Sequence, residues 1–238
     1  MSLRLPSHLK ELRFLQLTLY TLIFLIISPL LSGSVIINIL AQVFILNSLL
    51  VSLSAGGPKR RHKWILWSLW GVSLVGYIFA ASGVLTTLTP LWRFLDIIFT
   101  ALLLLGCVIV TFAFIFRSHR VTLDTIFAAV VAYLFIAFTY AQLYQLISLW
   151  QPGSFLFPSR DPAHFQVFQS NMLYFSLVTI ATLGYGDIVP QMPMPRMLAA
   201  VEAVMGQFYV AILVAWLVGM FISHSLRSKQ PGANENRQ

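Results

Sequence analysis

Polar residues in this chain fall in short clusters, and long blocks with almost no charge run between them. Six blocks, over residues 14–31, 35–55, 64–82, 94–116, 123–149 and 197–222, reach the length a spanning helix needs, about 20 mostly apolar residues. A further apolar stretch, 165–181, has roughly 17 residues and fits a segment that enters the membrane and turns back. It runs into a Gly-containing sequence. Backbone that leaves helical form at membrane depth must be buried in protein or line a water-filled cavity. The pattern predicts an all-α membrane protein with six spanning helices and a re-entrant helix between the fifth and sixth.

Composition agrees. Of 238 residues, 58% are hydrophobic and 9% charged, whereas a soluble domain carries about a quarter charged residues. The net charge of +8 would fit a nucleic-acid binder, but its distribution does not. The basic residues sit between apolar blocks, with no basic helix face and no interleaved stacking aromatics. Twelve of the fifteen fall on one side of the predicted membrane: Arg4, Lys10, Arg13, Lys59, Arg60, Arg61, Lys63, Arg117, Arg120, Arg227, Lys229 and Arg237. Arg93, Arg160 and Arg196 fall on the other. Excess Lys and Arg marks the cytoplasmic side, so both termini are expected there and the re-entrant stretch enters from outside. Trp64, Trp67, Trp92 and Trp150 lie near block ends, where amphipathic rings favour the interface. The first block lacks an A-x-A-like cleavage site and is expected to be retained. The polar tail after Ile222 is expected to be disordered at its end and too short for a soluble ligand-binding domain. Cys107 is the single cysteine, expected as a small buried apolar residue.

The chain divides at the basic hinge between Arg117 and Arg120. Residues 1–117 hold four spans with short loops, and residues 118–238 hold a span, the re-entrant segment and a span. The re-entrant stretch ends in Thr179-Ile180-Ala181-Thr182-Leu183-Gly184-Tyr185-Gly186-Asp187. Backbone carbonyls can replace the water shell of a monovalent cation only if successive ones point to a single axis. That requires alternating right- and left-handed backbone, and left-handed backbone is cheap for Gly and costly for most other residues. Gly184 and Gly186, two apart, suit it, and Thr182 adds a hydroxyl at the inner end.

This run resembles the selectivity filter of potassium channels. The resemblance extends upstream to Tyr174-Phe175-Ser176-Leu177-Val178-Thr179, similar to that family's pore helix, and downstream to Glu202-Ala203-Val204-Met205-Gly206. Residues 121–223 resemble the pore module of bacterial potassium channels. Residues 1–117 match only in having four spans, as a degenerate voltage-sensor-like domain would. The resemblance implies stacked K+ sites built from Thr182, Leu183, Gly184, Tyr185 and Gly186, with K+ as permeant ion and no other cofactor. It also implies Tyr185 packed against the pore-helix aromatics, and Asp187 in an acidic ring at the outer mouth. A closed filter needs four such segments and the chain has one, so a homotetramer is expected, in a bacterial inner membrane among lipids. The pore helix, near residues 170–181, would aim the negative end of its dipole at the central cavity.

Two positions depart from the commonest family pattern. Leu183 stands where Val or Ile is usual, and Tyr174 and Phe175 stand where many members have a Trp pair. Tyr174 keeps a hydroxyl donor toward Asp187, whereas Phe175 has none to offer Tyr185. In the last span, Glu202 reads as support behind the filter and Gly206 as either a gating hinge or a close packing point. Asp96 is expected to be solvated or paired with Arg93. Asn38, Gln42 and Asn47 are expected to bond between helices, and His62, His119 and His224 to lie near the cytoplasmic surface. No nucleophile–base pair or phosphate loop appears, so an enzyme is not expected. The alternatives are a non-selective cation channel and a non-conducting subunit that modifies another channel.

Overall fold

The computed structural model describes residues 13–30, 35–54, 64, 67, 68, 70–72, 74, 75, 89–118, 122–157 and 165–228. The ordered elements run α1 (Arg13–Leu30), α2 (Val35–Ser54), α3 (Thr89–Arg117), α4 (Leu123–Trp150), β1 (Phe155–Leu156), α5 (Phe165–Ile180), β2 (Val189–Pro190) and α6 (Pro193–Ser228). The described residues are thus nearly all helical, as those of an all-α membrane protein would be. Among the described residues four stretches are long and apolar enough to cross a membrane: Arg13–Leu30, Arg93–Arg117, Leu123–Trp150 and Pro193–Leu213. The second block forms α2. The third, 64–82, lies largely outside the described residues, as do the basic clusters at 59–63 and 119–121 with His62 and His119.

Several ends differ from the hydropathy reading. Helix α3 starts before residue 94 because Pro90 sits in its first turn, where its missing N–H costs nothing. Helix α6 likewise opens on Pro193. It runs on to Ser228, so the first polar residues after Ile222 continue the helix, and the end of the tail lies outside the described residues. Hydropathy reports bilayer thickness, and a helix can extend past it.

Few residues separate α3 from α4. Ser118 closes α3 by donating to Ile115 O at 3.2 Å. Thr122 then caps α4, with its side chain accepting from Thr125 N at 3.2 Å and Thr125 Oγ1 accepting from Thr122 N. Two backbone donors at the helix start are satisfied reciprocally, and the short link makes α3 and α4 neighbours that pack along their length. Helix α1 packs on α4 as well. The amide of Phe14 donates to Asp124 Oδ1 at 2.8 Å, so an otherwise unpaired N-terminal amide of α1 finds a carboxylate.

Phe14, Phe44, Leu104, Phe135, Phe138, Tyr144 and Phe175 belong to one continuous core joining α1 to α5. Four buried hydroxyls are satisfied along their own helices. Thr18, Thr21, Ser48 and Thr111 each donate to the carbonyl four residues back, at 2.7–2.8 Å, which lets polar side chains sit in apolar surroundings. Cys107 is fully buried, as expected. Trp64 and Trp150 are exposed, in keeping with interfacial placement.

Candidate functional site

Helix α5 begins at Phe165, earlier than expected, and ends at Ile180. Leu183 N donates to Val178 O and Thr182 N to Thr179 O, both at 2.9 Å. These nested bonds are the Schellman closure of a helix C-terminus, which places the following residue in left-handed backbone. That residue is Thr182, with φ 56°, followed at alternate positions by Gly184 (57°) and Gly186 (77°). No other residue of the run has positive φ. The sequence argument assigned left-handed backbone to the two glycines. Its extension to Thr182 was missed, because a β-branched side chain is the least expected occupant of that region.

All of Thr182, Leu183, Gly184, Tyr185, Gly186 and Asp187 are exposed in the single chain. Tyr185 is 67% exposed and Leu183 57%. Among the described residues no ring contact joins Tyr185 to Tyr174 or Phe175. Phe175 faces inward instead, against Tyr144 with ring centroids 5.0 Å apart and Phe155 at 5.4 Å. Its support of the run is therefore indirect within one chain, through the core behind α5.

The outer end is braced as the Tyr-for-Trp reading expected. Tyr174 Oη donates to Asp187 Oδ2 at 2.7 Å, and Ile188 N donates to Oδ1 at 3.0 Å. The tyrosine hydroxyl holds the Asp187 carboxyl below its ordinary value, because both donors favour the charged form. Just beyond, β2 pairs antiparallel with β1, Phe155 opposite Pro190 and Leu156 opposite Val189. This ties the segment after the run to the loop after α4.

Behind the run lies a polar cluster. Because α6 starts at Pro193, Glu202 is about two and a half turns into it, and it is fully buried. Tyr144 Oη donates to its Oε2 at 2.6 Å. Ser176 Oγ is hydrogen-bonded to its Oε1 and also lies 2.7 Å from Ala137 O. One carboxylate thus joins α4, α5 and α6. Further tyrosines extend this stitching: Tyr133 donates to Ile180 O at 3.0 Å, and Tyr209 donates to Ala129 O at 2.5 Å. Tyr140 donates to Met205 Sδ at 2.9 Å. Sequence reading missed all four. The spacing of Tyr133, Tyr140 and Tyr144, seven and four, does place them on one helix face and was the available signal.

Gly206 is buried where α6 crosses the end of α5, and a Cβ built on it would fall 2.2 Å from Ile180 O. This contact needs a residue without a side chain, and α6 is continuous through it. The geometry supports the packing role over the hinge. Arg93 and Asp96 both lie on α3, and the side chains of Asn38, Gln42 and His224 fall outside the described residues.

Residues 122–223, spanning α4 to α6, match a family model described as Ion channel, Ion_trans_2. No curated protein and no solved structure matches the chain. The match supports an ion-channel pore domain in this stretch, and the apolar helices around it are those of an integral membrane protein.

Proposed function

We propose that the protein is a potassium-selective channel in which four copies surround one pore, with Thr182, Leu183, Gly184, Tyr185 and Gly186 as the filter. The observation that carries this reading is the left-handed backbone at Thr182, Gly184 and Gly186 with two residues of other handedness between. Such alternation turns successive carbonyls the same way, as a column of cation ligands requires. The exposed flank of the run and the largely uncovered helix α6 suit a surface completed by neighbouring copies. In this assembly Asp187 rings the outer mouth, Glu202 supports the filter from behind, and Tyr185 packs on an adjacent copy. Both termini lie in the cytoplasm of a bacterial cell, and residues 1–117 form a four-span scaffold beside the pore.

The test is purified protein in liposomes or planar bilayers with K+ on one side and Na+ on the other. A reversal potential set by K+ supports the reading. Equal permeability of the two ions makes it a non-selective cation channel, and a well-formed tetramer without current makes it a modulatory subunit.

A further inference from the structure

Gln207 plays no part in the sequence reading, yet its amide Nε2 donates to Thr182 Oγ1 at 3.2 Å. It reaches that atom because of its neighbour. Gly206 lies flush against Ile180 O, and Tyr133 holds the same carbonyl from the α4 side. Helix α6 is thereby fixed against the end of α5, and the residue after the glycine meets the first residue of the filter. Gln207 is exposed in the single chain, on the side where the run itself is open. Among the described residues Thr182 is the one non-glycine residue with positive φ, so its side chain is presented from a backbone that is costly to hold.

We propose that Gln207 is the residue that sets how tightly the inner end of the filter holds a cation, acting through the Thr182 hydroxyl. The proposal rests on the potassium-channel reading. A threonine oxygen has two acceptor lone pairs and one proton. The Gln207 N–H occupies one lone pair and leaves the other for an ion. It also sets the positive end of an amide dipole beside the ligand oxygen, which weakens that oxygen's attraction for a cation. The penalty scales with ionic charge, so a divalent ion of similar size to K+ is disfavoured more than K+. Gln207 therefore admits K+ to the inner site while reducing capture of divalent cations arriving from the cytoplasm.

Internal Ba2+, a divalent close to K+ in size, is the probe. Block is measured on reconstituted channels in symmetric K+ for wild type, Gln207→Leu and Gln207→Glu. Gln207→Leu removes the donor at similar volume. The half-blocking concentration should fall roughly five- to tenfold, the scale of one hydrogen bond. Gln207→Glu substitutes a charged acceptor and should block at lower concentration still. Thr182→Val removes the acceptor. In that background Gln207→Leu should shift block by less than about twofold, as sites that no longer couple do. Ba2+ protection of the purified protein against heating reads the same site without current. A merely structural role for Gln207 would lower stability without producing the order wild type, Leu, Glu in Ba2+ sensitivity.

If wild type conducts K+ selectively and Gln207→Leu leaves Ba2+ sensitivity unchanged or weakens it, the proposal is overturned and the channel reading stands. A Gln207 effect that persists in full with Thr182→Val also overturns it. If wild type carries no K+ current but Gln207→Leu still strengthens Ba2+ protection, the channel reading falls and the role of Gln207 stands. If Gln207→Leu leaves protection unchanged as well, both fall.

Discussion

At Thr182, Gly184 and Gly186 the chain uses left-handed backbone three times in five residues. For the glycines this is nearly free. For Thr182 it costs on the order of 1–3 kcal/mol, a cost consistent with a hydroxyl needed at that point. A Cβ at Gly184 would meet nothing within 4 Å in the single chain, so Gly184→Ala should act through backbone conformation alone. The expected penalty is about 1–2 kcal/mol per copy, seen as a lower melting temperature with loss of K+ current. Tyr174→Phe tests the other end of the run. It removes the only side-chain donor bonded to Asp187 among the described residues. Current should decline faster during sustained opening, while the K+ to Na+ permeability ratio is kept in the channels still conducting. Time courses of macroscopic current check this, and an unchanged decline would count against the brace.

Helix α5 is held as an element more than by any single contact. Its C-terminal carbonyls are consumed by the Schellman bonds and by Tyr133, and its middle is anchored through Ser176 to Glu202. Ser176 has one proton and two acceptors in reach, Ala137 O and Glu202 Oε1. An amide at 202 would donate to Ser176 and still accept from Tyr144. Glu202→Gln should therefore keep stability within about 1 kcal/mol, whereas Glu202→Ala leaves the buried Tyr144 hydroxyl without a partner, Ser176 keeping Ala137 O, and should cost roughly 1–3 kcal/mol. Thermal melting followed by size exclusion separates the two. The elements themselves were largely legible, because a block of apolar residues has one physical home in a bilayer. Their ends were less so: Pro193 and the polar turns before Ser228 are good helix but poor hydropathy. The site divides in the same way. Gly184 and Gly186 follow from backbone cost, and the Tyr174–Asp187 pair from the family resemblance together with the hydroxyl donor that Tyr174 keeps. The partners of Gln207 and Glu202 do not, since a lone polar residue in an apolar helix gives no sign of what it faces.

Across the whole molecule, in the proposed six-span layout α3 would be the fourth span, where a voltage sensor would carry its arginines. Its helix has Arg93 and Arg117 near opposite ends, and no Lys or Arg between them. Each elementary charge crossing 100 mV contributes about 2.3 kcal/mol, and steep sensors move roughly 3–4 charges per subunit. Open probability should therefore change little between strongly negative and strongly positive potentials in symmetric K+. A steep sigmoidal conductance–voltage curve would refute this. The short capped link between α3 and α4 also keeps α3 against α4, which packs on α5 in turn, and in the proposed assembly α6 and the exposed flank of residues 182–187 are left for neighbours. That open flank carries a consequence for inheritance and for mixing experiments. If four copies surround one pore, as proposed, a chain that exposes Leu183 and Tyr185 owns only a quarter of the conduit it serves. In the proposed tetramer one defective copy therefore compromises three sound ones. Coexpressing equal amounts of wild type and a non-conducting but assembling variant would leave about one channel in sixteen entirely native under random cyclic assembly. Loss-of-function alleles at the filter would then behave as dominant.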